Sequence, residues 1–166
     1  MRLKRITITL ITILTIAARA KAQYMPQSSA FKIGFGKSQM TTSLTGGYTY
    51  FASEKVFISG HGNFEWGTLH QFDYTSLSAN LLANYSLVSI SGVVFINIGA
   101  GPTVAYDTLK PMSTKGFDYG ATGRLEVETF ITDAVSFIIS GNQTMMSKKD
   151  FGNYRSSIGL GFRFFM

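Results

Sequence analysis

The sequence predicts an all-β fold: an eight-stranded antiparallel up-and-down transmembrane β-barrel preceded by a cleavable signal peptide. Three observations carry this expectation. From Tyr154 to the last residue, Tyr154, Ile158, Leu160, Phe162, Phe164 and Met166 alternate with Arg155, Ser157, Gly159, Gly161 and Arg163, the period of two that marks a strand with one oily face. The amino end reads as an export signal. Between the two lie seven more strand-like segments, and their connectors alternate in length as they do in bacterial outer-membrane barrels.

Residues 1–22 open with Arg2, Lys4 and Arg5, continue in an apolar, threonine-rich run over 6–18, and end in Ala20-Lys21-Ala22, a sequence that suits signal peptidase. That run is shorter than the roughly 20 residues a spanning helix needs, and no later stretch approaches this length. The barrel domain is therefore expected over residues 23–166, starting at Gln23. Lys and Arg number 15 against 9 Asp and Glu, but five of the bases and none of the acids lie in the signal, which leaves a mature charge of about +1. The basic balance thus belongs to the export signal and does not indicate nucleic-acid binding. With 0 cysteines, neither a disulfide nor an acylated N-terminal cysteine is available.

The strand segments are expected at 30–36, 43–52, 56–66, 72–87, 93–106, 117–131, 135–146 and 154–166, an even number as single-chain bacterial barrels require. Ser53–Lys55, Val88–Gly92 and Thr132–Ala134 are the short connectors expected on the periplasmic side. Lys37–Thr42, Gly67–Gln71, Asp107–Gly116 and Ser147–Asn153 are the external loops, with Asp107–Gly116 the largest and the outer surface low. Tyr48, Tyr50, Phe51, Tyr85, Tyr106, Tyr119, Phe130 and Tyr154 lie near strand ends, where interfacial girdles form; ordinary β-propensity accounts for any one ring equally well. Glycines at 34, 46, 47, 60, 62, 99, 101, 159 and 161 permit curvature or close packing inside.

The fourth segment sets Leu77, Ala79, Leu81, Ala83, Tyr85 and Leu87 against Ser78, Asn80, Asn84 and Ser86, with Leu82 the one apolar intruder. The sixth sets Tyr119, Ala121, Leu125, Val127 and Ile131 against Asp118, Thr122, Arg124, Glu126 and Glu128. Periodicity alone does not say which face is inside, and a soluble lipocalin-like barrel would bury the apolar one. The charges favour a polar interior. Lys32, Glu65, Arg124, Glu126, Glu128, Arg155 and Arg163 share the polar face in nearly balanced numbers, as a closed lumen needs. Eight strands leave room for side chains to fill the interior, so a conducting pore is not expected.

Glu126 and Glu128 stand roughly 7 Å apart on one face, a spacing that could serve acid and base chemistry. Arg124 beside them, with Arg155 and Arg163 on the last strand, makes a structural ion network the stronger reading. Ser59, His61 and Glu65 also share a face, which raises acyl hydrolysis of lipids. A nucleophile and base must lie within hydrogen-bond reach, and neighbours on one strand face do not guarantee this. His70 stands alone in a loop and offers no metal signature. Gly99-Ala-Gly-Pro102 lacks the following helix a phosphate loop requires. The glycosylation sequons at Asn84 and Asn142 fall inside strands.

Tyr119-Gly-Ala-Thr-Gly-Arg-Leu-Glu-Val-Glu-Thr-Phe-Ile-Thr-Asp133, Phe137-Ile-Ile-Ser-Gly-Asn-Gln143 and Phe151–Phe164, with Gln23-Tyr-Met-Pro-Gln27 and the Gly99-Ala-Gly101 strand, resemble the conjugal transfer protein TraO family of Gram-negative conjugative transposons. The likeness is strongest over 117–166. It implies an outer-membrane component or anchor of the DNA-transfer apparatus, without catalytic residues to assign. The expected function is non-enzymatic support of conjugation. The alternatives are a general envelope, adhesion or porin-like barrel and, more remotely, a lipid-modifying enzyme. No cofactor is expected. The partners are outer-membrane lipids, the barrel-assembly machinery reading Phe162, Phe164 and Met166 at the chain end, and other transfer proteins, with no direct contact to nucleic acid.

Overall fold

The computed structural model describes residues 24–38, 41–69, 72–110, 114–147 and 153–166. The expected signal segment and His70 lie outside them. Eight strands follow in order: β1 (Ser29–Ser38), β2 (Thr41–Phe51), β3 (Val56–Leu69), β4 (Phe72–Ile90), β5 (Val94–Lys110), β6 (Thr114–Thr132), β7 (Val135–Met146) and β8 (Tyr154–Phe165). Each pairs antiparallel with the next, and β8 returns to β1, from Ala30↔Phe165 to Ser38↔Ser157. The closed ladder leaves no sheet edge, so backbone donors and acceptors are matched between strands around the barrel.

The apolar face is outside. Phe31, Ile33 and Phe35 on β1, Leu77 and Leu81 on β4, and Ile158, Leu160, Phe162 and Phe164 on β8 are exposed, whereas Lys32, Asn80, Arg124, Glu126, Glu128 and Arg163 are buried. A soluble lipocalin-like barrel, the opposite arrangement, is thereby excluded.

Three tight turns close one end, which we call the turn end. Ser91 and Gly92 have φ of 54° and 68°, and Val93 N donates to Ile90 O at 3.1 Å, the type I′ geometry that matches strand twist. Val56 N donates to Ser53 Oγ, and Val135 N to Thr132 Oγ1, each at 3.1 Å, hydroxyl-stabilised turns. Register shifts at Ser86/Val88 and Phe130/Thr132 add bulges near this end, where they raise local twist.

The other end, the loop end, differs from expectation. Asp107–Gly116 is not a long loop: β5 continues to Lys110 and β6 resumes at Thr114, paired as Leu109↔Thr114. Turn-prone Asp, Pro and Gly in this stretch suggested a break, but strand pairing overrides those local preferences. β6 runs from Gly120, its last partner position on β7, out to Thr114. The wall formed by β4, β5 and β6 therefore stands higher than the β7–β8–β1 side, and the rim is raised rather than low.

Two aromatic assignments are also corrected. Tyr48, Tyr50, Tyr85, Tyr106, Tyr119 and Tyr154 are exposed on the outer surface, but Phe51 and Phe130 point into the barrel. Each sits at the turn end of its strand's polar face, in phase with Thr49 and Glu128 respectively. There they pack with Tyr24, Phe57 and Phe95, and Phe165 joins from β8.

Candidate functional site: the lumen

Alternation along each strand delivers one set of side chains to the lumen, where they form layers. At the turn end Tyr24 lies between Phe51 and Phe95, with ring centroids 4.6 and 4.5 Å away, and Phe130 stacks on Phe165 at 4.9 Å. These six rings plug the mouth. Packed rings at such separations gain about 0.5–1.5 kcal/mol per pair beyond area burial.

Directly above the plug is an ion layer. Arg163, 1% exposed, reaches Glu126 with Nη2 at 2.7 Å and bonds Glu128 through Nη1. Lys32 Nζ lies 2.7 Å from the second Glu126 oxygen. Tyr24 and Ser136 donate hydroxyls to Glu128, and Asn97 Nδ2 donates to Tyr24 Oη at 2.8 Å. Burial and the Glu128 carboxylate push the Tyr24 phenol well above its ordinary range, so it remains protonated and able to donate. The Arg163 guanidinium also sits 5.5 Å from the Phe57 ring centre and 5.9 Å from that of Phe51, which joins the ion layer to the plug. Two cations meet two carboxylates here. Buried charges require this local balance together with saturated hydrogen bonding.

Arg124 forms the next layer, and not in the way its sequence position suggests. Its Nε donates to Asn142 Oδ1 at 2.6 Å, and its Nη1 approaches the His61 ring nitrogens at 2.9 and 3.1 Å. Because β6 and β3 are not neighbours, the side chain lies across the lumen as a bar. The His61 ring fits against β2 because residue 47 is glycine: a Cβ there would overlap the imidazole and come within 2.9 Å of Gly60 O.

Above the bar is a cavity of about 350 Å³ that extends to the loop end. Hydroxyls and amides line it, including Thr45, Asn63, Asn80 and Ser140. Thr122 Oγ1 is 2.6 Å from Thr103 Oγ1 and 2.8 Å from Thr144 Oγ1, a hydroxyl ladder across three strands. Near the rim, Arg155 Nη2 pairs with Asp107 Oδ2 at 2.7 Å, while Tyr74 Oη donates to Asp107 Oδ1 at 2.7 Å and accepts from Arg155 Nη1 at 2.9 Å.

Of the five charged residues expected to form one network, Glu126, Glu128 and Arg163 come together. Arg155 does not meet Glu126 or Glu128: it pairs with Asp107, a residue expected in a loop. Arg124 makes no ion pair within 4.0 Å with a described carboxylate, because Lys32 and Arg163 occupy Glu126. Sequence reasoning missed Tyr24, Asn97, Ser136 and the plug. Strand phase was the available signal for Phe57 and Phe95, and nothing comparable marks Tyr24, which precedes β1.

The Ser59, His61 and Glu65 set does not assemble. Ser59 Oγ accepts from Asn84 Nδ2 at 2.9 Å, and the imidazole is held by Arg124. Glu65 lines the cavity two inward positions further along β3, roughly 13 Å from His61 at strand spacing. Phe162, Phe164 and Met166 all face outward.

A family model described as conjugative transposon protein TraO matches residues 64–166, a longer span than the stretch of strongest resemblance. No curated protein matches the chain. The N-terminal β-barrel domain of Pseudomonas aeruginosa OprF aligns with a TM-score of 0.63 at 15% identity, covering 84% of this chain and 98% of that one. Neisserial surface protein A aligns at 0.64 and 15%, covering 82% and 94%. The outer membrane enzyme PagL aligns at 0.53 and 12%, covering 81% and 98%. Identities this low establish the shared barrel fold alone.

Proposed function

We propose that this chain, which belongs to the conjugative transposon TraO family, supports conjugative DNA transfer as a non-enzymatic outer-membrane component or anchor of the transfer apparatus. The observation that carries the mode of action is the sealed lumen. A plug of six aromatic side chains and a neutral ion layer fill the turn end, so neither DNA nor protein is threaded through the barrel. The work falls to its outer wall, rim and turns. In this reading residues 1–22 direct export and are removed, the turn end faces the periplasm, and the apolar wall meets lipid over the height of the bilayer. Transfer proteins dock on the turns or on the raised β5–β6 side, where Tyr106, Phe117 and Tyr119 are exposed. The engagement of Ser59 with Asn84 and of His61 with Arg124, with Glu65 away from both, supports a non-catalytic role.

The test is deletion of the gene in a donor strain, with mating frequency as readout. The expected result is a loss of transfer that is restored by the wild-type gene. A general envelope barrel is the second reading, with which the closed barrel fold is equally compatible. Normal transfer accompanied by altered detergent sensitivity would favour it and overturn the first.

A further inference from the structure

The cavity above the ion layer has a floor built from groups that lack partners. Arg124 is 7% exposed and Asn80 8% exposed, and both line the cavity. Arg124 uses Nε and Nη1 on Asn142 and His61, while Nη2 has no hydrogen-bond partner among the described residues. Asn80 Oδ1 is buried without a partner. The two groups are close in the barrel's own register: Asn80 pairs with Thr103, Thr103 Oγ1 bonds Thr122 Oγ1, and Thr122 precedes Arg124 by one inward position on β6. They form one patch across β4, β5 and β6.

The charge at this patch is also one-sided. Glu126, the nearest carboxylate in sequence, is already bonded to Lys32 and Arg163, so Arg124 has no counter-ion in contact. A guanidinium removed from bulk water needs an anion or a full set of acceptors. His61 and Asn142 supply neutral acceptors to two of its nitrogens and leave one edge for an incoming group. Most of the other lining side chains carry hydroxyls or amides, with Lys32, Glu65 and Arg155 the further charged ones, and this suits a solute that carries hydroxyls besides its charge. A volume of about 350 Å³ is at the low end of small-molecule sites.

We propose that this floor is a binding site for a small polar solute, a carboxylate or phosphate on a hydroxyl-rich body, whose oxyanion is held by Arg124 Nη2 and whose neighbouring hydroxyl donates to Asn80 Oδ1. Arg124 supplies charge and direction to the oxyanion, and Asn80 Oδ1 accepts from a hydroxyl beside it on the solute's body. Thr103, Thr122 and Thr144 accept or donate to the remainder. The site does not depend on the role in conjugation.

The test uses the refolded barrel in detergent micelles, observed by NMR at the Arg124 Nε–H and at the backbone amide of Thr122. Glucuronate and inorganic phosphate are titrated, with glucose as the uncharged control. The expected result is a saturable shift with at least one of the anions, and none with glucose. Asn80→Ala, which removes no hydrogen bond between described residues, should weaken binding by about three- to tenfold, the scale of one neutral hydrogen bond. Arg124→Lys keeps the charge but loses the directed edge, and should weaken it further. Heat-modifiable migration on gels reports that each variant is folded. No saturable shift with either anion, an equal shift with glucose, or a shift unchanged in both folded variants would overturn the proposal.

Discussion

Glu128 shows how single residues hold this molecule. It accepts from Arg163, Tyr24 and Ser136 at once, so Glu128→Gln leaves a buried guanidinium short of one counter-ion. Breaking a buried pair in this way costs about 3–5 kcal/mol, and we expect a large fall in the urea midpoint of the refolded barrel. Asp107→Asn also removes a buried carboxylate, but its partner, the Arg155 side chain, is 19% exposed and keeps contact with water, so the cost should be smaller, about 1–3 kcal/mol. A midpoint equally low for both would contradict the layered burial. Glycine positions give a sharper contrast. Gly47→Ala places a methyl on the His61 ring and close to a backbone oxygen, and overpacking of this kind costs about 1–3 kcal/mol. Gly46→Ala meets nothing within 4 Å and should be neutral to within about 0.5 kcal/mol. Both glycines are visible in the sequence, and adjacent; only the position of the imidazole separates them.

Among the elements, the β1–β8 seam decides whether the sheet closes. Gly34 pairs with Gly161 and Gly36 with Gly159, and a Cβ at Gly161 would lie 2.6 Å from Ile33 O and 3.1 Å from the Gly34 Cα. Gly161→Val should therefore hinder closure, seen as loss of heat-modifiable migration on gels while the chain still inserts. The seam could be anticipated in part, since alternation in residues 154–166 marks a strand and its glycines mark a close approach. Strand ends were less legible. Asp107, Pro111 and Gly116 argue for a loop locally, yet β5 and β6 continue through much of that stretch because each residue added to the hairpin satisfies two backbone groups. Phe51 and Phe130 were misplaced for a related reason: an aromatic ring near a strand end suits a membrane interface and a barrel plug equally, and only its phase against Thr49 or Glu128 tells them apart.

For the whole molecule, the filled turn end predicts electrical silence. Planar-bilayer recordings of the wild-type barrel should show no unitary steps. Tyr24→Ala should also stay silent, because the Lys32–Glu126–Arg163 layer still spans the lumen above the weakened plug. Steps in the wild type would refute the sealed barrel. Much of this architecture follows from the chain read alone: strand number and antiparallel order come from a period of two and from turn chemistry, and the balanced charges on one face favour it as the inner one, all local properties. Partnership inside the barrel is not local. Lys32 and Glu126 are 94 positions apart, and Arg155 finds Asp107 instead of Glu128 because strand stagger and length set the height at which each inward side chain enters the lumen. Alternation determines that a residue points inward. Closure of the sheet, by fixing the height and wall from which it points, decides what it meets.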